Sequence, residues 1–163
     1  MKCVLFVVCG GLLLCGCSNT NAQSRQAAKK TADALTGDAK NSAANNLQCK
    51  LFTLAEIQKY AGKPVKPGQN AAGASGCQWV TTDESSFLIV QVVPAEYYQT
   101  PPRSATMLAD VGTKGYVAAH LLWDWNAAAI QGDNAVMVAM DGPIANEKTT
   151  VDILRETLKR RTK

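Results

Sequence analysis

The sequence predicts an α+β domain, with a helix at each end and strands between them. Thr53-Leu54-Ala55-Glu56 has the form of a capping box at the head of a short amphipathic run. Phe87 to Val93 is dense in β-branched and apolar residues, and Gln131-Gly132-Asp133-Asn134 sits between two apolar runs as a hairpin turn. Asn146 precedes a segment in which Val151, Leu154 and Leu158 recur at helical spacing. Strands linked by hairpins, with helices set apart at the ends, define the α+β class.

Taken in order, residues 1–16 have the layout of a secretory signal, with Lys2 as the charge and an apolar core from Val4 to Leu14. That core is short of the roughly 20 apolar residues a transmembrane helix needs, and Ser18-Asn19-Thr20 follows at once. Leu14-Cys15-Gly16-Cys17 closes the run and resembles the lipobox of bacterial lipoproteins. The resemblance implies that the Cys17 thiol takes a diacylglyceryl group and that cleavage follows on its N-terminal side. The competing reading is an ordinary signal with a coincidental cysteine. Each buried methylene contributes about 0.8 kcal/mol, so the two or three palmitate-type chains of such a protein hold it durably on a membrane. Ser18 rather than Asp after the modified cysteine implies, by the same resemblance, the outer membrane and its periplasmic face.

Loss of residues 1–16 removes Lys2 and lowers the formal net charge from +4 to +3, too mild a balance to predict a nucleic-acid partner. It also removes Cys3, Cys9 and Cys15, and with Cys17 lipidated only Cys49 and Cys77 remain. In an exported compartment these two are expected to bond to each other. A metal site is the competing reading, but His120 is the one histidine and two cysteines 28 positions apart make no zinc pattern. No metal and no cofactor is expected.

Residues 17–48 read as the lipidated cysteine followed by a tether rich in Ala, Asn, Ser and Lys, with Leu35 and Leu47 as its large apolar residues. Such a composition buries too little surface to offset its ordering entropy. As a flexible coil it holds the domain at roughly 30 Å from the lipid. Arg25, Lys29 and Lys30 either contact anionic headgroups or serve as a solvated basic spacer.

The folded domain is expected over residues 49–163. Leu54, Ile57 and Tyr60 share a helical face, and Gly62 stops that helix ahead of Pro64. Lys63 to Gly76 reads as an irregular loop, followed by a strand over Gln78 to Thr81, the Asp83-Glu84-Ser85 turn and the strand Phe87 to Val93. Pro94 ends that strand and Ala95 to Tyr98 starts a helical turn that Pro101-Pro102 interrupts. A strand-like run then leads through Leu121 to Trp125, whose alternation puts Trp123 and Trp125 on one face and Asp124 on the other. The Ala127 to Ile130 and Ala135 to Met140 strands flank the hairpin turn, for four to five strands in all. Asn146 caps the last helix, and Lys159, Arg160 and Arg161 suit its C-terminal dipole.

These pieces carry a second resemblance. Cys49 to Ile57, Gly76-Cys77-Gln78-Trp79, Gly112 to Tyr116, Gly132-Asp133 and Glu147 to Arg161 look like small exported lipoprotein families of unknown function. The likeness implies an antiparallel sheet with the N-terminal and C-terminal helices packed on it and one disulfide. It brings no catalytic residue.

Nor do the residues themselves predict an enzyme. His120 stands before an apolar run with no nucleophile elbow, Asp124, Asp133, Asp141 and Glu96 each fit a turn or solvent-facing place, and Gly112 to Gly115 lacks the Lys-Ser/Thr of a phosphate loop. A binding or assembly-support domain is the expectation, its partner an envelope protein or a glycan. Candidate contacts are Tyr97, Tyr98 and Arg103 in the connecting segment and Trp123 and Trp125 on the strand, because aromatics and Arg dominate interface hot spots. A same-face Trp pair equally fits a core. The alternative function is a proteinaceous inhibitor of an envelope or secreted hydrolase.

Overall fold

A computed structural model describes residues 43–162. A 3-10 turn at Ala43–Asn45 leads into α1 (Leu47–Lys50) and α2 (Leu54–Ala61). Seven strands follow: β1 (Gln69–Ala71), β2 (Gly76–Val80), β3 (Phe87–Pro94), β4 (Thr106–Leu108), β5 (Thr113–Ala119), β6 (Trp125–Gln131) and β7 (Asn134–Asp141). The helix α3 (Glu147–Arg161) closes the domain. The strands form one sheet in the order β1-β2-β3-β7-β6-β5-β4, every neighbouring pair antiparallel.

The α+β class, the antiparallel sheet and both flanking helices agree with expectation, but seven strands replace the four to five expected. The additions are the three-residue edge strands β1 and β4, which lie in segments that read as loop and polar connection. Three residues are too few to show an alternation, and their pairing is set by the neighbouring strand. A second correction concerns Leu121 to Asp124, which bend between β5 and β6 instead of extending a strand.

Local chemistry explains the helix ends. The Thr53 side chain accepts from the Glu56 amide while the Glu56 carboxylate accepts from the Thr53 N–H at 2.7 Å, which completes the capping box. Asn146 caps α3 by accepting from the Thr149 N–H at 2.8 Å. Asn46 caps α1, and its Nδ2 donates to Asn70 Oδ1 and to the Gly76 carbonyl, both at 2.8 Å. Asn46 is buried, so packing begins ahead of Cys49. Cys49 and Cys77 form a disulfide that ties α1 to β2, their Cα atoms 5.0 Å apart.

The register divides the sheet into two unlike faces. Cys77, Val90, Val138, Ala127 and Val117 form one cross-strand row, with Trp79, Leu88, Met140 and Trp125 in the next. These rows meet Ile57 and Phe52 from the α2 side, and Val151, Ile153, Leu154 and Leu158 of α3, in one core. Phe52 meets Trp79 edge to face at 6.4 Å. Both principal helices therefore cover the same face. No helix among the described residues is long and apolar enough to cross a membrane.

Two turns constrain the hairpins. Gly132 takes φ +55 in the two-residue loop between β6 and β7, as expected for Gly132-Asp133. The β1–β2 turn is less comfortable, because Ala72 and Ala74 take φ +50 and +67 on either side of Gly73. An alanine in the left-handed region is strained by about 1–2 kcal/mol, part of which glycine returns through its freer unfolded chain. Ala74→Gly is accordingly expected to raise stability by a few tenths to about 1 kcal/mol, read as a higher urea midpoint at unchanged slope.

Candidate binding site

The face turned away from the helices is built from the alternate residues of the same strands. One row runs Gln78, Ile89, Ala139, Asn126, Ala118, and the next Gly76, Gln91, Met137, Ala128, Tyr116. The segment after β3 covers the β5 end of this face: Tyr98 meets Tyr116 edge to face at 6.0 Å and its hydroxyl donates to the Lys114 carbonyl. Burial raises the pKa of both phenols.

Over the centre of the face lies a recess of about 160 Å³. Ile89, Met137 and Ala139 give it an apolar floor, with Gln91 and Asn126 as its polar members. Trp123 and the Ala71-Ala72 turn form its rim. The indole of Trp123 is held from the side, since the His120 ring stacks on it at 4.9 Å and His120 Nδ1 accepts the Leu122 N–H at 3.1 Å. Asp124 secures the same loop by accepting the Gly142 N–H at 2.9 Å. Gln91 is fixed by donating from Nε2 to Ser75 Oγ at 3.0 Å. Asn126 is 2 % exposed, and its Oδ1 has no hydrogen-bond partner among the described residues.

The candidates named from the sequence are dispersed by this arrangement. Trp123 and Trp125 do not share a face: Trp125 is paired with Met140 and packs against the helix-side core, whereas Trp123 sits in the bend and reaches the opposite face. Tyr98 is engaged with Tyr116, while Tyr97 is 63 % exposed and Arg103 is also exposed. Cys17, the 1–16 signal and most of the tether lie outside the described residues. Of the carboxylates named from the sequence, Glu96 sits in the 3-10 turn Ala95–Tyr97 beside Asp133 of the hairpin loop, and Asp141 ends β7 next to Gly142, whose N–H Asp124 accepts. The hollow beside His120 is lined by Ser104, Leu121 and Leu122 among others, and among the described residues no carboxylate is on its wall. Among the described residues no three of His, Cys, Asp and Glu gather as a metal site requires.

Comparison with family models, curated proteins and solved structures finds no match. The residues that sequence reasoning missed are Asn126, Gln91, Met137 and the Ala71-Ala72 turn. The visible signal was Asn126, a lone amide inside the apolar run Trp125 to Ile130.

Proposed function

We propose that this chain is a lipid-anchored bacterial envelope protein, of the small exported lipoprotein kind that its sequence resembles. Cys17 carries the lipid, and the domain is a non-catalytic binding or assembly-support module displayed at the periplasmic face of the outer membrane. The observation that carries the binding part is the recess on the sheet face turned away from the helices, where a braced Trp123 lines an apolar hollow together with Gln91 and Asn126. An apolar recess with a few polar groups has the composition of a ligand site.

A second reading, inhibition of an envelope or secreted hydrolase, draws on a different feature. Leu121 is 102 % exposed and Leu122 75 %, side by side on the loop between β5 and β6. Such a projecting apolar pair suits insertion into a cleft on a protein partner.

Intact-mass analysis of the mature product tests the anchoring: a chain that begins at Cys17 and carries two or three acyl chains is expected. An unacylated Cys17, or a retained leader, overturns it. Affinity capture from the native envelope tests the rest. A partner lost on Trp123→Ala supports binding at the recess, and recovery of a hydrolase lost on Leu121→Asp selects the inhibitor reading.

A further inference from the structure

We propose that α1 and the last turn of α3 form a docking surface for an anionic phospholipid bilayer, with Leu47 entering the headgroup layer and Lys50 and Arg161 against lipid phosphates. The choice of occupant rests on the lipid-anchored reading above. A hollow of about 370 Å³ opens between these elements and β3, with Leu47, Leu51 and Val92 as its apolar wall and Gln48, Lys50 and Arg161 as its polar members. Leu47 is 71 % exposed at the first position of α1, and Lys50 stands exposed one turn on. An apolar side chain flanked by cations is the pattern that holds interfacial elements on anionic membranes. Charge selects the lipid, since no Asp or Glu among the described residues lines the hollow. Lys148, Arg155, Lys159 and Arg160 of α3 each pair with a carboxylate, whereas Lys50 and the half-buried Arg161 form no ion pair among the described residues. A cation that has given up part of its hydration without a counter-ion gains from an anion brought to it. Connectivity selects a bilayer over an acidic protein. The segment read as a tether joins the described domain at Ala43, just ahead of Leu47, and holds this end of the domain at roughly 30 Å from the anchored membrane. The other apolar projection, Leu121-Leu122, lies at the opposite end of the strands: β6 begins after it at Trp125, beside Met140, whereas Val92 pairs with Val136 near the β6–β7 turn.

The test places the mature chain, residues 17–163, on nanodiscs by coupling Cys17, its one thiol outside the disulfide, to a maleimide lipid. This reproduces the anchor whether or not the cell acylates that residue. A spin label on the lipid headgroups then broadens the amide signals of residues near the bilayer. With phosphatidylglycerol mixed into phosphatidylcholine, broadening is expected at Leu47 to Leu51 and at Arg161, with Leu121 and Leu122 untouched. Phosphatidylcholine alone, or high salt, is expected to remove it. A basic residue at an anionic surface is worth roughly fivefold in binding, so Arg161→Gln is expected to lower the docked-to-undocked ratio about fivefold. Leu47→Asp is expected to lower it further, because it removes the apolar contact and adds repulsion, while an acid in the first turn suits α1. Unmoved signals in the sheet show that both variants keep the fold. No broadening at α1, broadening centred on Leu121 and Leu122, equal broadening on both lipids, or indifference to Arg161→Gln and Leu47→Asp overturns the proposal. The anchoring reading fails separately, by an intact mass without acyl chains.

Discussion

Replacing Cys49 and Cys77 together by alanine is expected to lower the unfolding free energy by about 3–4 kcal/mol. A cross-link between positions 28 apart removes that much conformational entropy from the unfolded chain in the loop-closure account. The loss is a large share of the roughly 5–15 kcal/mol that holds a domain of this kind together. Cys77 is 0 % exposed, so its replacement also leaves a void the size of a sulfur. Reduction of the wild type separates the two contributions, because it breaks the link and keeps both sulfurs. Urea unfolding of oxidised, reduced and double-alanine forms is the measurement, with the oxidised form highest, the reduced form below it and the double-alanine form lowest. A loss below about 1 kcal/mol on reduction would mean that the Asn46 hydrogen bonds and the Phe52 and Ile57 packing hold α1 and α2 without covalent help. The prediction bears on the proposed location, since a domain this dependent on one disulfide is best served outside a reducing compartment.

The elements legible in the sequence were those whose cause is local. The capping box at Thr53 and Glu56, the Gly132-Asp133 loop and the Asn146 cap each lie within a few residues of the structure they start or stop. The edge strands escaped because Gln69–Ala71 and Thr106–Leu108 are defined by what they pair with. Alternation misled at Trp123 and Trp125, because the chain bends at Leu121 to Asp124 before β6 begins. That bend sends the two indoles to opposite faces. The recess was still less accessible, being assembled by register from β3, β7 and β6, with a turn from the far edge as its rim.

Arg160 shows the same limit in energetic form. At the sequence level it suits the dipole of α3; in the structure it ties that helix to the start of α2. Its Nη2 donates to Glu56 Oε1 at 2.6 Å and its Nη1 to Glu56 Oε2 at 3.1 Å, Nη1 also donates to the Leu51 carbonyl, and Nε donates to Glu156 Oε1 at 2.7 Å. The guanidinium lies over the Phe52 ring, 4.5 Å from its centre. Charge-assisted bonds are worth about 1.5–3 kcal/mol when shielded. Here the Arg160 and Glu56 side chains are 26 % and 38 % exposed, so solvent screening reduces the total, and Arg160→Leu is expected to cost about 2 kcal/mol at neutral pH. The pH dependence identifies the cause. The hydrogen bond from Arg160, and after it the Thr53 N–H, lower the Glu56 pKa from 4.5 to about 2. A carboxylate whose folded pKa is depressed stabilises the fold in full above its unfolded value and loses that stabilisation as pH falls through the folded one. The wild type should therefore lose its margin over Arg160→Leu between about pH 4.5 and pH 2. Melting temperatures of the two proteins across that range, measured at low salt, are expected to converge toward the acid end. Curves that stay parallel would assign the tie to the stacking of the Arg160 stem and guanidinium on Phe52 and leave the Glu56 charge without a part in it.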